Sequence, residues 1–222
     1  MPAQGGLLTS RAISIERHDM TALTQEPLPS RFRWRVVDIV VASVIGVASG
    51  LVFFAWNQLY APATAPLEAA LPGLQALFYG VWLFAGVLGG LIIRKPGAAV
   101  FIEVVAAFVS MVLGSVWAFD TLVSGLAQGL AAEVVFLAFL YSNWRIYVAV
   151  IAGAASGLAM GIKDNIVWNA AATAQFQLTY LVCGVISGAV IAGVGSWLLA
   201  RGLARTGALS RFAAGREVTA RV

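Results

Sequence analysis

Residues 122–141 read LVSGLAQGLAAEVVFLAFLY, an apolar run with the carboxylate of Glu133 inside it. A helix of this length crosses the hydrocarbon core of a bilayer. A charged side chain at the centre of such a helix costs about 2.5–3.5 kcal/mol unless another group compensates it. The preceding apolar run contains a second carboxylate, Glu103, and no Lys or Arg lies in the apolar interior of any run. These two acids are the main functional signal in the sequence.

The composition is that of an integral membrane protein. Of the 222 residues, 60% are hydrophobic and 11% are charged, and the mean hydropathy is +0.88. In a soluble domain about 25% of the residues are charged. The net charge of +4 comes from basic residues that lie beside the apolar runs, which indicates topology and not a nucleic-acid surface. The lipid bilayer is therefore an expected partner and nucleic acid is not.

The sequence contains no catalytic or metal-binding motif. The single cysteine, Cys183, lies in an apolar run, and the single histidine, His18, lies in the polar N-terminal segment. A Cys/His zinc or haem site cannot be built from these two residues alone. The chain also has no phosphate-binding loop and no Gly-x-Ser-x-Gly motif. We therefore expect no metal, no cofactor, no enzymatic activity and no ATP hydrolysis by this chain.

Six apolar runs follow a polar N-terminal segment. They cover residues 36–57, 77–93, 97–117, 122–141, 146–162 and 176–200. The predicted fold is an all-α integral membrane bundle of six transmembrane helices in the plasma membrane. We assign residues 31–205 to this domain, residues 1–30 to a disordered cytoplasmic extension in which Met20 is an alternative start, and residues 206–222 to a cytoplasmic tail.

The charges between the runs predict the orientation. Eight basic residues fall on one side: Arg31, Arg33, Arg35, Arg94, Lys95, Arg145, Arg201 and Arg205. The other side has Lys163 together with the acids Glu68, Asp120 and Asp164. The positive-inside rule places both termini in the cytoplasm. Residues 60–75 and 163–175 then form the longer outer loops, where a ligand would be caught or covered.

Small residues recur at four-residue spacing on three of the helices. These stripes are Ala42, Gly46 and Gly50 in the first run, Gly153, Gly157 and Gly161 in the fifth, and Gly184, Gly188, Ala192 and Ser196 in the sixth. Such a stripe lets two helix backbones approach closely. It indicates either packing within the bundle or docking to another membrane subunit, and the spacing fits both.

The candidate ligand site combines acids, amides and aromatic rings. On the third helix, Glu103 and Trp117 share a face with Ser110 and Gly114, and this face is predicted to point inward. Glu133 is predicted near the middle of the membrane, with Gln128 about one and a half turns further out and about 140° around the helix. Aromatic and amide side chains gather toward the outer helix ends: Trp56, Asn57, Tyr60, Tyr79, Trp82, Trp168, Asn169, Gln175 and Gln177.

This combination favours a flat, cationic ligand, because aromatic faces attract cations and amides bond to ring edges. Structural roles stay open at this point. Glu103 can form an interhelical hydrogen bond or reach toward Arg94 or Lys95, Glu133 can also be structural, and each Trp can be an interfacial anchor.

Two motifs resemble the YkoE family, the substrate-binding S-components of energy-coupling factor (ECF) vitamin transporters. They are RKPGAA at residues 94–99, followed by Glu103, and QGLAAEVVF at residues 128–136. The resemblance spans about Trp34 to Leu209 and includes RTGAL at 205–209. The chain departs from the family pattern at Ala131, where Gly is common, and at Lys163, where Tyr is common.

The resemblance implies capture of thiamine or its hydroxymethylpyrimidine precursor, together with a transmembrane coupling subunit and two cytoplasmic ATPase subunits. It implies docking through Ala42, Gly46 and Gly50. With the residue pattern, it predicts a substrate site formed by Glu133, Gln128, Glu103, Trp56, Asn57, Tyr79, Trp82, Trp117, Asp164 and Trp168.

Two other functions fit the same sequence. In a proton-coupled carrier, Glu103 and Glu133 would titrate during transport, although no clear inverted repeat relates the two halves of the chain. In a membrane scaffold or assembly factor, both acids would be structural. Ligand-induced stabilisation of the folded protein separates this last function from transport.

Overall fold

The structure is a computed structural model that describes residues 32–219. Trp34 onward forms one compact unit. The predicted cytoplasmic extension at residues 1–30 lies outside the described residues. Every regular element within residues 32–219 is helical. The helices are α1 (Val36–Ala70), α2 (Gly80–Ile93), α3 (Ala98–Val112), α4 (Asp120–Ala138), α5 (Ile146–Val167), α6 (Ala174–Ser187), α7 (Ser196–Arg205) and α8 (Ala213–Thr219). A 3-10 helix (Leu74–Phe78) leads into α2, and a π-helical segment (Gly188–Gly195) joins α6 to α7.

Five segments of the described chain are long and apolar enough to cross a membrane. They are Val36–Ala70, Leu74–Ile93, Asp120–Ala138, Ile146–Val167 and Ala174–Arg205. The third predicted run gives only the 15-residue helix α3, which at 1.5 Å per residue is about 22 Å long. Beyond α3 the chain turns, with positive φ at Gly114 and Ala118. The all-helical prediction is confirmed, and the sixth transmembrane helix stays a prediction.

Two predicted outer loops are helical in part. Helix α1 continues through Pro62 and Pro66 to Ala70, where the sequence predicted a loop from residue 60. Both prolines are exposed, so the carbonyl groups that lose their helical donors can contact solvent. Helix α5 continues to Val167, which places Lys163 and Asp164 inside its last two turns.

Helix α2 lies at the centre of the bundle and is buried along most of its length. Its glycines allow α3 and α4 to pack directly on its backbone. A Cβ atom at Gly89 would clash with the side chain of Ile102 on α3, and one at Gly90 would clash with the ring of Phe136 on α4. This close packing holds α3 and α4 against α2.

The stripes on the fifth and sixth runs pack against each other. A Cβ atom at Gly153 would overlap the carbonyl oxygen of Gly188, and one at Gly157 would overlap that of Gly184. Because only hydrogen fits at these points, α5 and the α6–π segment approach at backbone distance. Packing within the bundle therefore accounts for these two stripes.

The stripe on α1 is also covered by the chain itself. Ala42 is fully buried. Cβ atoms added at Gly46 and Gly50 would meet the side chains of Val105 and Val109 on α3 within 2.6 Å. The stripe thus packs against α3, and its predicted role in docking stays a prediction.

One end of the bundle, called the basic end below, is formed by the start of α1, the α2–α3 turn and the α4–α5 connection. Asp38 is fully buried there and pairs with Lys95 and, at 3.0 Å, with Arg35. The guanidinium carbon of Arg94 lies 5.1 Å from the centroid of the Trp144 ring. Residues that were predicted to lie on the same side by their charge thus meet in space.

The predicted C-terminal tail begins at residue 206, and its first part is structured. Leu209 and Phe212 are buried and belong to the main hydrophobic core. Helix α8 follows them and packs near α7. This part of the chain is therefore packed on the bundle.

Candidate functional site

A cavity of about 240 Å³ lies at the end of the bundle opposite the basic end. Its wall is built by α1 to α6, the 3-10 helix and the loops between them. The lining residues are Phe53, Asn57, Gln75, Tyr79, Trp82, Glu103, Ala107, Ser115, Trp117, Asp120, Thr121, Ser124, Gly125, Gln128, Met160, Asp164, Trp168, Asn169 and Tyr180. Carboxylates, amides, hydroxyls and aromatic rings therefore converge on one space.

Most of the predicted ligand residues meet in this cavity. The residues that line it are Gln128, Glu103, Asn57, Tyr79, Trp82, Trp117, Asp164 and Trp168. The two that do not are Glu133 and Trp56. The inward face predicted for α3 is confirmed at Glu103 and Ser110, each 1% exposed.

Glu103 is the acid deepest in the wall. One carboxylate oxygen, Oε2, accepts a hydrogen bond of 2.5 Å from the backbone N–H of Gly86 on α2. The other, Oε1, lies 3.3 Å from the amide nitrogen of Gln128 when that amide is oriented to satisfy its neighbours. The interhelical hydrogen bond that the sequence left open is present. Among residues 32–219, no Lys or Arg forms an ion pair with Glu103.

Gln128 joins three helices around Glu103. In the same orientation, its amide nitrogen also lies 3.3 Å from the carbonyl oxygen of Trp82 on α2. Its backbone carbonyl accepts a 3.0 Å hydrogen bond from Ser156 on α5. Gln128 and Glu103 thus lie side by side in the cavity wall.

Glu133 lies at the basic end, away from the cavity. Its carboxylate accepts hydrogen bonds from the backbone N–H groups of Gly97 (2.6 Å) and Ala99 (2.9 Å) at the start of α3. The hydroxyl of Tyr141 donates a third bond of 2.5 Å. Burial, and then the bond to Glu133, raises the pKa of the Tyr141 phenol, so this hydroxyl stays a donor.

The sequence predicted Glu133 as a ligand residue, with a structural role left open, and the structure gives its carboxylate three partners at the basic end. Two of these are free N–H groups of a helix N-terminus, where a negative charge is favourable. The prediction that Gln128 and Glu133 cannot share one role agrees with their separate surroundings.

The mouth of the cavity carries a network between the start of α4 and the end of α5. Lys163 contacts three acceptors: Asp120, Ser124 (2.9 Å) and Asp164 (3.1 Å). The indole Nε1 of Trp168 donates to Asp120 at 3.0 Å. Two acids and one base are thus held together at the mouth.

Asp164 has a second partner on the other side of the cavity. The hydroxyl of Tyr180 donates to its Oδ2 atom at 2.7 Å. The ring of Tyr180 in turn packs edge-on against Tyr79, with centroids 5.3 Å apart. This links the acid network at the mouth to the aromatic side of the cavity.

Aromatic rings form that opposite side. Trp82 and Trp117 pack edge to face with centroids 5.3 Å apart. The indole of Trp82 donates to Asn57 at 2.8 Å, and Asn57 donates to Ser110 at 3.1 Å. These bonds fix the Trp82 ring beside the cavity. Trp56 packs behind it, with ring centroids 6.4 Å apart.

Several lining residues were not predicted from the sequence, although Asp120 and Ser124 follow a recognisable spacing. Asp120, Ser124 and Gln128 are spaced by four and share one face of α4. Only Gln128 was predicted as a ligand residue, because Asp120 was assigned to a loop. Tyr180, in the sixth apolar run, gave no comparable pattern.

The arrangement suits a small, flat molecule with hydrogen-bonding edges. Glu103 and Gln128 offer acceptors at the base of the cavity, and Trp82, Tyr79 and Trp117 offer ring surfaces. Within residues 32–219, no group of three or more His, Cys, Asp or Glu side chains is arranged to hold a metal ion.

Comparisons with known proteins point to membrane transport. Residues 37–159 match the family described as "ABC-type cobalt transport system, permease component". The chain is 35% identical over 188 residues to YkoE of Bacillus subtilis (strain 168), which is named as an HMP/thiamine permease protein. That alignment covers 83% of this chain and 92% of YkoE. The crystal structure of an S-component of an ECF transporter matches with a TM-score of 0.78 and 34% identity, covering 85% of this chain and 95% of that one.

Proposed function

Because the chain belongs to the YkoE family of ECF-transporter S-components, we propose that it binds hydroxymethylpyrimidine (HMP) or thiamine from outside the cell for uptake by partner subunits. It is a multi-pass protein of the plasma membrane and acts in transport, not as an enzyme. The observation that carries the proposal is the cavity in which Glu103 and Gln128 lie beside Trp82 and Trp117.

The proposed contacts follow from the chemistry of the ligand. HMP and thiamine share an aminopyrimidine ring, which presents an amino group and ring nitrogens at its edge. The carboxylate of Glu103 accepts from the amino group, and the amide of Gln128 bonds to the ring edge beside it. Trp82 or Trp117 packs against the face of the ring.

The proposed topology has six transmembrane helices, with α3 as the short one. The basic end faces the cytoplasm according to the positive-inside rule, so both termini are cytoplasmic. The cavity at the opposite end then opens to the outside, as a binding subunit for uptake requires.

The proposed partners are a transmembrane coupling subunit and two cytoplasmic ATPase subunits. The sequence contains no phosphate-binding loop, and the proposed ATPase subunits supply the energy for uptake. The resemblance assigned docking to Ala42, Gly46 and Gly50. Helix α3 packs against these residues within the bundle, and docking through them stays a prediction.

A ligand panel on the purified protein tests the proposal. A ligand that binds only the folded state raises the melting temperature by an amount that grows with its concentration. We expect HMP or thiamine to stabilise the protein in detergent, and Co²⁺ to leave the melting temperature unchanged. No shift with either vitamin compound at millimolar concentration, or a shift with Co²⁺ alone, contradicts the proposal.

Proton-coupled transport is the second candidate, favoured by the burial of Glu103 without a basic partner among the described residues. Vesicles that contain this chain alone separate the two functions. Uptake driven by a pH gradient supports the carrier. Binding without uptake until the coupling and ATPase subunits are added supports the S-component.

A further inference from the structure

The charged side chains that line the cavity are all acids. They are Glu103 at the base and Asp120 and Asp164 at the mouth. Within residues 32–219, no Lys, Arg or His belongs to the lining. The side chains of Asp120 and Asp164 are only 20% and 12% exposed, so water screens their charges only in part. The cavity therefore presents negative charge to a molecule that enters it.

Lys163 does not change this balance. Its ammonium group has three N–H donors, and its three acceptors are Asp120, Ser124 and Asp164. Lys163 itself does not line the cavity. Its single positive charge can balance one carboxylate, and its donors are all used within the wall. An anionic ligand therefore gains no hydrogen bond from this group.

Two further side-chain donors at the mouth are also taken. The indole Nε1 of Trp168 donates to Asp120, and the hydroxyl of Tyr180 donates to Asp164. A helix start such as that of α4 ordinarily favours an anion, because it has free backbone N–H groups. Here the N–H groups of residues 120–123 donate to the carbonyl groups of residues 117–119. A phosphate group at the mouth would meet carboxylates without gaining these donors.

We propose that the acid pair Asp120 and Asp164 makes the cavity selective for unphosphorylated ligands and rejects phosphate esters of HMP and thiamine. This inference rests on the proposed function and deepens it by naming the chemical class of ligand that the same site takes. A phosphate ester carries a charge of about −1.5 to −2 at neutral pH. Carboxylates that are partly shielded from water repel this charge, whereas they repel neither neutral HMP nor the thiazolium cation of thiamine.

The test compares each phosphate ester with its parent compound by calorimetric titration in detergent. The readout is the ratio of the Kd for the ester to the Kd for the parent, with HMP monophosphate and HMP as one pair and thiamine monophosphate and thiamine as the other. Damage elsewhere in the cavity weakens both members of a pair and largely cancels in the ratio. We expect a ratio above about ten in wild-type protein, because like charges a few ångströms apart repel by at least that factor at a partly buried site.

Substitutions at the mouth test the role of the acids. Asp120→Asn removes one charge and keeps an oxygen for the indole of Trp168. The ratio should fall at least about fivefold in this variant and stay within about twofold of wild type in Asp120→Glu, which keeps the charge. Glu68→Gln removes an exposed acid outside the lining and should leave the ratio unchanged, because solvent screens that charge. Asp164→Asn should lower the ratio by a similar factor and serves if Asp120→Asn does not fold.

The outcomes separate this inference from the function on which it rests. A ratio below about ten in wild type, or an unchanged ratio in folded Asp120→Asn or Asp164→Asn, overturns the inference and leaves vitamin binding intact. If neither HMP nor thiamine binds wild type, the proposed function fails and the inference fails with it.

Discussion

Replacing Glu133 by glutamine should lower the stability of the protein and leave ligand affinity unchanged. The carboxylate accepts from two backbone N–H groups, of Gly97 and Ala99, and from the hydroxyl of Tyr141. Glutamine keeps one acceptor oxygen but places an NH₂ group against a donor. One charge-assisted hydrogen bond is lost, at about 1.5–3 kcal/mol. The lost charge at the helix N-terminus adds about 0.5 kcal/mol.

The expected destabilisation is therefore about 2–3.5 kcal/mol. Thermal unfolding in detergent should show a lower melting temperature, while titration with HMP should give a Kd within about twofold of wild type. Glu68→Gln removes an exposed carboxylate near the end of α1 and serves as the control for loss of one charge.

The reasoning is refuted if Glu133→Gln loses ligand affinity at an unchanged melting temperature. That result would place Glu133 at the ligand, as the sequence alone suggested, and not at the N-terminus of α3. An unchanged melting temperature with unchanged affinity would also contradict the capping role.

Two further substitutions test the packing of the bundle. Gly153→Ala should destabilise the protein by about 1–3 kcal/mol, because its methyl group overlaps the backbone of Gly188. The control Gly202→Ala, where nothing lies within 4 Å, should be neutral or slightly stabilising. Equal melting temperatures for the two variants would contradict the close approach of Gly153 and Gly188. Asp38→Asn should cost about 3 kcal/mol, because it removes the carboxylate that pairs with the buried ammonium of Lys95; wild-type stability in equilibrium unfolding would show that this pair contributes nothing.

The helical class and most of the site follow from side-chain chemistry that is visible in the sequence. Asn57, Trp82 and Trp117 were predicted from their position near helix ends, and they meet because neighbouring helices bring those ends together. On α4, the four-residue spacing of Asp120, Ser124 and Gln128 indicated that these side chains share one face. It was missed because residue 120 was placed in a loop.

The partners of Glu133 could not be predicted from the side chains in the sequence. No Lys or Arg lies in the apolar interior of the runs to pair with it. The partners are main-chain N–H groups that become free only because α3 begins at Ala98, after a left-handed turn at Gly97. Backbone donors appear only when the helix ends are placed in space.

The predicted ends of α1 and α5 were too early, because they were read from prolines and from hydropathy. Proline signals a break because it removes a donor, yet α1 continues through Pro62 and Pro66 with both residues exposed. Likewise, α5 runs beyond the apolar residues to Val167, where Asp164 bonds to Tyr180 on α6. Contacts between distant residues decide these ends, and hydropathy does not record them.

The most direct test of the account is the affinity of Glu103→Gln for HMP, measured by calorimetric titration in detergent. Glutamine keeps an oxygen for the N–H group of Gly86 and removes the charge that accepts from the ligand, so the protein should fold. The loss of one charge-assisted hydrogen bond, about 2 kcal/mol, predicts a Kd roughly thirtyfold higher than wild type. An unchanged Kd in the folded variant would contradict the claim that Glu103 forms the base of the ligand site.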